Sequence, residues 1–216
     1  MVWLPRVDGF AWDHNAYYHR LILSRLPAGS QHVLDAGCGA GLLATGVRRR
    51  GPLVDAVDRD AVMVERARRA AGPGIVVRPA DLLTDPLPEA AYDAVVSLSV
   101  LHHLPLEAVL PRLAKALRPG GRLIVVALPR VVLPRELPVE IAATGAQLAV
   151  GAALWLARRV GVFALVLLKD DGSMPIAVPE LTVRQVRRQA QAVLPGARVR
   201  RLLFWRYLLE WDRPTT

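Results

Sequence analysis

The stretch VLDAGCGAG, residues 33–41, decides how this chain is read. An aliphatic run passes through Asp35 into Gly37, Gly39 and Gly41, and the amphipathic stretch LLATGVRRR follows at once. Strand, glycine turn and helix in immediate succession open a parallel α/β unit. Glycine is needed where the backbone takes φ > 0 or where a ligand must approach main-chain atoms closely, so the turn reads as a ligand cradle. A dinucleotide fingerprint would put its third glycine or alanine at Leu42, whereas here the glycine falls at position 41. Asp35 sets a negative charge beside the place a pyrophosphate would lie. That charge suits a cationic or ammonium-bearing ligand; the competing reading is a turn or helix-capping residue with no ligand role.

Outward from this turn, short apolar runs alternate with helical ones. HVLDA, LVDAVD, IVVRPAD, YDAVVSLS and RLIVVAL read as strands, and LLATGVRRR, AVMVERARRAA and LEAVLPRLAKALRPGG as helices between them. Near-continuous Val, Ile and Leu in the strands requires a parallel sheet covered on both faces. The fold class expected is therefore α/β, a doubly wound Rossmann-like sheet. Residues 10–26 predict a helix ahead of the first strand, with Ala16, His19, Leu21 or Leu23, and Leu26 on one face. TVRQVRRQAQAVLPG predicts a last helix stopped near Gly196, and ARVRRLL and FWRYLLEW predict two closely joined strands added antiparallel to the sheet edge.

The organisation expected is one domain over 1–216, with an N-terminal helical cap at 1–30, a ligand-binding core at 31–130, an apolar helical insertion at 131–175, and a final helix with two strands at 176–216. The insertion is unusual. Residues 141–157 carry no charge, and a second apolar run, 160–168, follows Arg158 and Arg159. A membrane span wants about 20 apolar residues in one run. Two shorter, interrupted runs predict buried or substrate-covering helices, a lid over the carboxyl ends of the strands; membrane-surface contact through 141–168 is the alternative.

Composition narrows the classes further. With 53% hydrophobic and 22% charged residues over 216 positions, the chain can bury a real core, which excludes disordered and fibrous classes. Cys38 is the single cysteine, so neither a disulfide nor a cysteine-based zinc cluster forms within the chain. Pro5, Asp8, Asp13 and His14 interrupt the place where a signal peptide needs an unbroken apolar run, so a cytoplasmic protein is expected. The formal charge is +9, carried almost wholly by arginine, since Lys115 and Lys169 are the only lysines. That balance permits contact with anionic polymers or surfaces without requiring it.

DAGCGAG after a hydrophobic strand resembles motif I of the class I S-adenosylmethionine-dependent methyltransferases, the small-molecule "type 11"-like branch. The likeness continues at intervals over 31–128, and the helix and paired strands at 180–212 fit that family's seven-stranded ending with its antiparallel C-terminal strand. The resemblance implies S-adenosylmethionine as cofactor, S-adenosylhomocysteine as product, and a loop of Asp35, Gly37, Cys38, Gly39 and Gly41 around it. It further implies that Asp58, ending LVDAVD, accepts the ribose hydroxyls, with Asp55 inside the strand and Asp60 better placed to cap the next helix. Arg59 and Met63 would flank the adenine. Asp81 and Leu82, just after the third strand, would read its amino group and a ring nitrogen. Ser97 and Leu98 would line the methionine part. RPGG at 118–121 matches the family's turn into the fifth strand and has a structural role.

For catalysis, His102 in the LHHL string is the candidate general base, because an imidazole with a pKa near neutrality can take a proton from a hydroxyl or ammonium nucleophile. His103 is a weaker candidate, and both have a packing alternative. Tyr18 is a second site candidate from WDHNAYYHR, where His14, Asn15 and His19 also stand; amphipathic packing explains the same residues. No metal is expected, since the adjacent acidic pair Asp170 and Asp171 lies in a glycine-containing loop. The chain has SLSV where nucleic-acid amino methyltransferases carry Asn/Asp-Pro-Pro-aromatic, and its cysteine belongs to the glycine loop, not to a nucleophile. A nucleic-acid substrate is therefore disfavoured, and a small, hydrophobic or aromatic acceptor is expected, with O-methylation favoured over N- or C-methylation. A methyltransferase-like protein that binds the cofactor without transferring methyl is one alternative, and an RNA methyltransferase using the Arg184, Arg187, Arg188, Arg198, Arg200 and Arg201 cluster is another.

Overall fold

The structure, a computed structural model, describes residues 14–132 and 179–215 together with positions 141, 144–146, 148–150, 152 and 153. The expected lid, the Asp170–Asp171 pair and most of the 141–168 surface lie outside the described residues. Those positions between 141 and 153 are helical, and Ala146 and Val150 pack against the core.

Strands β1 (His32–Ala36), β2 (Leu53–Asp58), β3 (Ile75–Pro79), β4 (Tyr92–Leu98), β5 (Leu117–Ala127), β6 (Arg198–Leu202) and β7 (Arg206–Asp212) form one sheet in the order β3-β2-β1-β4-β5-β7-β6. The pairs from β3 through β5 are parallel, while β7 runs antiparallel to both β5 and β6. Strand order reverses between β1 and β4. In open α/β sheets, ligands bind in the crevice at such a switch point, outside the carboxyl ends of the strands.

Helices cover both faces, as the continuous apolar strands require. On one face lie α1 (His14–Arg25), α2 (Leu42–Arg48) and α3 (Ala61–Ala70), with Ile22, Leu43, Val47 and Ala67 packed on Val33, Val54, Ala94 and Val126. On the other lie α4 (Leu106–Ala116) and α5 (Val183–Val193), where Leu110, Leu113, Val186 and Ala190 meet Leu34, Val95, Leu123 and Leu209. Capping follows chemistry in the sequence. Asp60 accepts from the Val62 and Met63 amides at the start of α3, and Thr182 with Gln185 makes a reciprocal capping box on α5.

Three details depart from expectation. The buried face of α1 is set by Tyr18 and Ile22, four residues apart and 2% and 0% exposed, and not by the stripe through His19. The RPGG segment lies inside β5 as a bulge: Tyr92 pairs with Leu117 but Ala94 with Arg122, so Arg118–Gly121 absorb the extra residues. Gly121 is required there, because a methyl group on it would sit 2.9 Å from the Arg118 carbonyl oxygen and 3.1 Å from that of Asp93. Finally, Phe204 and Trp205 belong to the β6–β7 turn and not to a strand, with φ of 52° and 56°. Residues other than glycine hold such angles only under constraint from their surroundings. Here Tyr18 donates its hydroxyl to the Leu203 carbonyl, and the Phe204 ring packs edge-on against Tyr17.

Candidate active site

The β1, β2, β3 and β4 ends, and the loops that follow them, converge on the carboxyl edge of the sheet. In the glycine loop the Gly37 and Cys38 amides both donate to the Val57 carbonyl, at 2.8 and 2.9 Å, which prolongs the β1–β2 ladder past Ala36. Gly37 takes φ 79°, and a methyl group at its α-carbon would come within 2.3 Å of Val100 Cγ2. Val100, from the loop after β4, thus occupies the space that makes glycine obligatory at this position. Gly39 and Gly41 also take positive φ, 51° and 82°, and Gly41 packs against Ala67 of α3. Cys38 is buried, and burial beside Asp35 and Asp58 pushes its thiol pKa up, so it is no nucleophile.

The acidic residues of β2 sort themselves by partner. Asp55 accepts the Tyr92 hydroxyl at 2.6 Å, and Asp60 caps α3. Asp58 is held by two backbone amides: Gly39 N–H to Oδ2 and Asp60 N–H to Oδ1, each at 2.9 Å. A carboxylate oxygen accepts more than one hydrogen bond, so Asp58 is fixed in direction and still has acceptor capacity. Asp35 is different. It is fully buried at the end of β1, and neither of its oxygens has a hydrogen-bond partner among the described residues. Burial pushes its pKa up to about 7; the Ala44 amide opposes the rise short of forming a full hydrogen bond, and the Asp58 charge adds to it.

Two cavities flank this centre, and Arg59 lines both. One, of about 600 Å³, lies open between Arg59, Asp60, Pro79, Ala80, Asp81 and Asp85. Asp81 shapes its floor by accepting from Leu83 N–H while its own amide donates to Asp85, both at 2.8 Å. Leu82 and Met63 are buried, with Leu82 in the core beneath this cavity and its carbonyl accepting from Arg112 Nε. The other cavity, of about 500 Å³, is more enclosed and extends from Arg59 past His102 and His103 to Leu128, Gln189 and Tyr207.

Behind these cavities, Ser97 donates its hydroxyl to the Ala36 carbonyl at 2.7 Å, tying β4 to the end of β1, and Leu98 packs on the α1 side of the sheet. The imidazole of His102 is held down at a pKa of about 3, first by burial and then by the neighbouring His103 and Arg206 charges. The near-neutral pKa expected of this base is therefore displaced: His102 is neutral throughout the physiological range. His103, whose ring centroid lies 3.9 Å from that of His102, is lowered too, by burial and by Arg59. Tyr18 lines neither cavity; burial and Tyr17 push its pKa up to about 12, and its hydroxyl is engaged with Leu203.

The fold brings further residues here, of which the sequence reading had named only Asn15. Ser99, at φ 60°, donates to Asn15 Oδ1 at 2.8 Å, and that oxygen also accepts from the buried Arg206 at 3.3 Å. This joins α1, the loop after β4 and the start of β7. The flanking Tyr207 and Gln189 reach the His102 cavity from β7 and α5. No local signal marks them; the only hint was a polar residue, Gln189, three positions from Val186 on a helix face that packs inward. Among the described residues no three His, Cys, Asp or Glu side chains gather as a metal site would require.

A sheet of this order, with a glycine turn after β1 and an amide-held aspartate ending β2, defines a Rossmann-like nucleotide-cofactor fold. Residues 34–125 match the methyltransferase domain family. An uncharacterized methyltransferase of Mycobacterium tuberculosis (strain ATCC 25618 / H37Rv) is 39% identical over 206 residues, covering 94% of this chain and 98% of the relative. The ubiquinone biosynthesis O-methyltransferase of Xylella fastidiosa (strain 9a5c) is 37% identical over 109 residues, 48% of this chain and 44% of that protein. An S-adenosylmethionine-dependent methyltransferase from Mesorhizobium loti shares the fold, with a TM-score of 0.61, 18% identity, and coverage of 93% of this chain and 99% of that one. The chain belongs to the class I S-adenosylmethionine-dependent methyltransferase family.

Proposed function

We propose that this methyltransferase acts on a small, hydrophobic or aromatic acceptor, with an oxygen nucleophile favoured. The observation that carries this reading is the cavity of about 500 Å³ beside the cofactor residues, where Leu101, Leu104, Leu106, Leu128 and Leu181 form an apolar part of the wall, a neutral imidazole stands among them, and Arg59, Glu107 and Glu180 supply charge. Small-molecule sites combine apolar walls with polar groups that direct the ligand. The partial likeness to a ubiquinone biosynthesis O-methyltransferase supports the same class.

The residues present fit S-adenosylmethionine. Asp58, oriented by two amides, has acceptor capacity for the ribose hydroxyls. Asp35, buried and unpaired among the described residues, gains a partner from the cofactor's ammonium. Arg59, with Met63, flanks the adenine, and the Asp81–Leu82 segment reads its edge above the open cavity. Gly37, Cys38, Gly39 and Gly41 form the turn, and Ser97 and Leu98 the wall along the methionine part. When bound, the cofactor supplies an electrophilic methyl on a sulfonium. The protein's share is then to align the acceptor, exclude water and hold a proton. His102 accepts the hydrogen bond of the acceptor hydroxyl; at its low basicity it orients the nucleophile and takes the proton only as the oxygen's own acidity rises during bond formation. Tyr18 acts at a distance, pinning α1 to the β6–β7 turn.

The test is methyl transfer from S-adenosylmethionine labelled in its methyl group, offered to a phenol panel and separately to total RNA. Label in the extracted phenols, reduced at least tenfold in His102→Ala, is the expected result. Label in RNA would instead favour the arginine-rich surface, and label in neither, from protein that binds the cofactor, would favour a non-methylating role.

A further inference from the structure

Among the described residues four that are not glycine take positive φ, and three of them, Ser99, Phe204 and Trp205, are joined to α1 through one or two side chains. Such backbone persists only where its surroundings over-determine it, and it gathers at functional sites. Ser99 is the one beside the glycine turn. Its amide donates to the Val126 carbonyl at 2.7 Å, carrying the β4–β5 ladder one residue past Leu98, and the chain then bends at φ 60° into Val100. Val100 stands against Gly37, so closely that a methyl group there would come within 2.3 Å of Val100 Cγ2. The angle at Ser99 therefore sets where Val100 meets the turn.

A side chain from α1 holds that angle. The Ser99 hydroxyl donates to Asn15 Oδ1 at 2.8 Å, and Arg206 Nη2 donates to the same oxygen at 3.3 Å. A guanidinium has no acceptor, so the oxygen of the Asn15 amide must face it, and the Ser99 hydroxyl is then the donor of the pair. Arg206 is itself buried, and its Nη1 donates to the Phe204 and Trp205 carbonyls at 3.4 Å. One amide oxygen in the first turn of α1 thus ties the bend after β4 to the β6–β7 turn.

We propose that Asn15 is a positioning residue for cofactor binding, whose side-chain oxygen holds Ser99 in the left-handed conformation and so seats Val100 against the glycine turn. It acts through Ser99 and Val100 and not by touching the cofactor. The role rests on the glycine turn as the cofactor site and is independent of which acceptor is methylated. What the position requires is an oxygen acceptor, which aspartate supplies and alanine does not.

The proteins for the test are wild type, Asn15→Ala, Asn15→Asp, Ser99→Ala, the double alanine variant, and Tyr92→Phe as a destabilised control away from the turn. Affinity for S-adenosylhomocysteine is read by calorimetry, and amide hydrogen exchange over residues 99–104 is read by mass spectrometry on ligand-free protein. Asn15→Ala and Ser99→Ala should each weaken binding roughly tenfold and speed exchange in that segment. The double variant should be no worse than either single one, because both remove the same bond. Asn15→Asp should bind within about threefold of wild type, and Tyr92→Phe should match it. Wild-type affinity or exchange in Asn15→Ala overturns the inference. So does Ser99→Ala that binds as wild type does, additive losses in the double variant, or an aspartate that rescues nothing. Folded wild type that binds no S-adenosylhomocysteine contradicts the cofactor site itself, whereas binding by wild type that is unaltered in the alanine variants contradicts the role of Asn15 alone.

Discussion

Replacing Asp35 with asparagine keeps the shape of the end of β1 and removes a carboxyl group that the fold buries unpaired. Its pKa rises from 3.8 to about 7 on folding. Between those values the folded chain keeps the proton that the unfolded chain has given up, so stability falls as pH rises. The contribution is fully present below pH 4 and lost as pH climbs through 7. Three units correspond to about 4 kcal/mol, of which about 3 kcal/mol falls between pH 5 and pH 8. His102 slopes the other way, because its pKa is lowered on folding from 6.5 to about 3 and the folded chain resists protonation in acid. The wild-type curve alone mixes the two. The difference between Asp35→Asn and wild type isolates the carboxyl, and urea unfolding at pH 5 and pH 8 measures it. The variant should gain about 3 kcal/mol relative to wild type on going from pH 5 to pH 8. An unchanged difference across that range would refute the claim that Asp35 is buried without a counter-charge.

Three more outcomes follow from the site. Gly37→Ala combines a positive φ with contact against Val100 and should destabilise by about 2–4 kcal/mol, with part of the loss recovered by adding Val100→Ala, read by the same unfolding assay. Since His102 is neutral above its lowered pKa, methyl transfer should show no inflection near pH 6.5 from this residue; a kcat that halves there in wild type and not in His102→Gln would contradict the burial of the imidazole. Tyr92→Phe removes the bond to Asp55 far from the cavities, so it should cost about 1–2 kcal/mol of stability and leave cofactor affinity unchanged in a titration.

The parallel core was legible because each element carries its own signal. Apolar runs gave the strands, DAGCGAG the turn, and Asp60 and Thr182 the starts of α3 and α5. The last residue of LVDAVD, Asp58, could be chosen over Asp55 and Asp60 because a strand interior and a helix cap leave only one aspartate at the strand's end. What escaped was set by partners distant in sequence. The bulge at Arg118–Gly121 follows from the register of β4, which RPGG alone does not encode. Phe204 and Trp205 look like strand residues by composition, yet contacts with Tyr17 and Tyr18, about 185 positions away, hold them in a turn. The same holds for the site. Asn15, Ser99 and Arg206 meet only once α1, β4 and β7 are assembled, and Gln189 lies on a helix that reads as amphipathic scaffold. His102 was visible as a residue, but its lowered basicity arises first from burial, then from the adjacent His103 and from Arg206, and no motif reports the burial or the approach of Arg206.

The most direct test of the account is calorimetric titration of the protein and of Asp58→Ala with S-adenosylmethionine, S-adenosylhomocysteine and NADH. The account predicts binding of the sulfonium cofactor and its product but not of NADH, weakened roughly ten- to a hundredfold in the variant, the equivalent of about 1.5–3 kcal/mol for a charged hydrogen bond lost. Folded protein that ignores both sulfur compounds, or a folded Asp58→Ala that binds them as tightly as wild type, would contradict it.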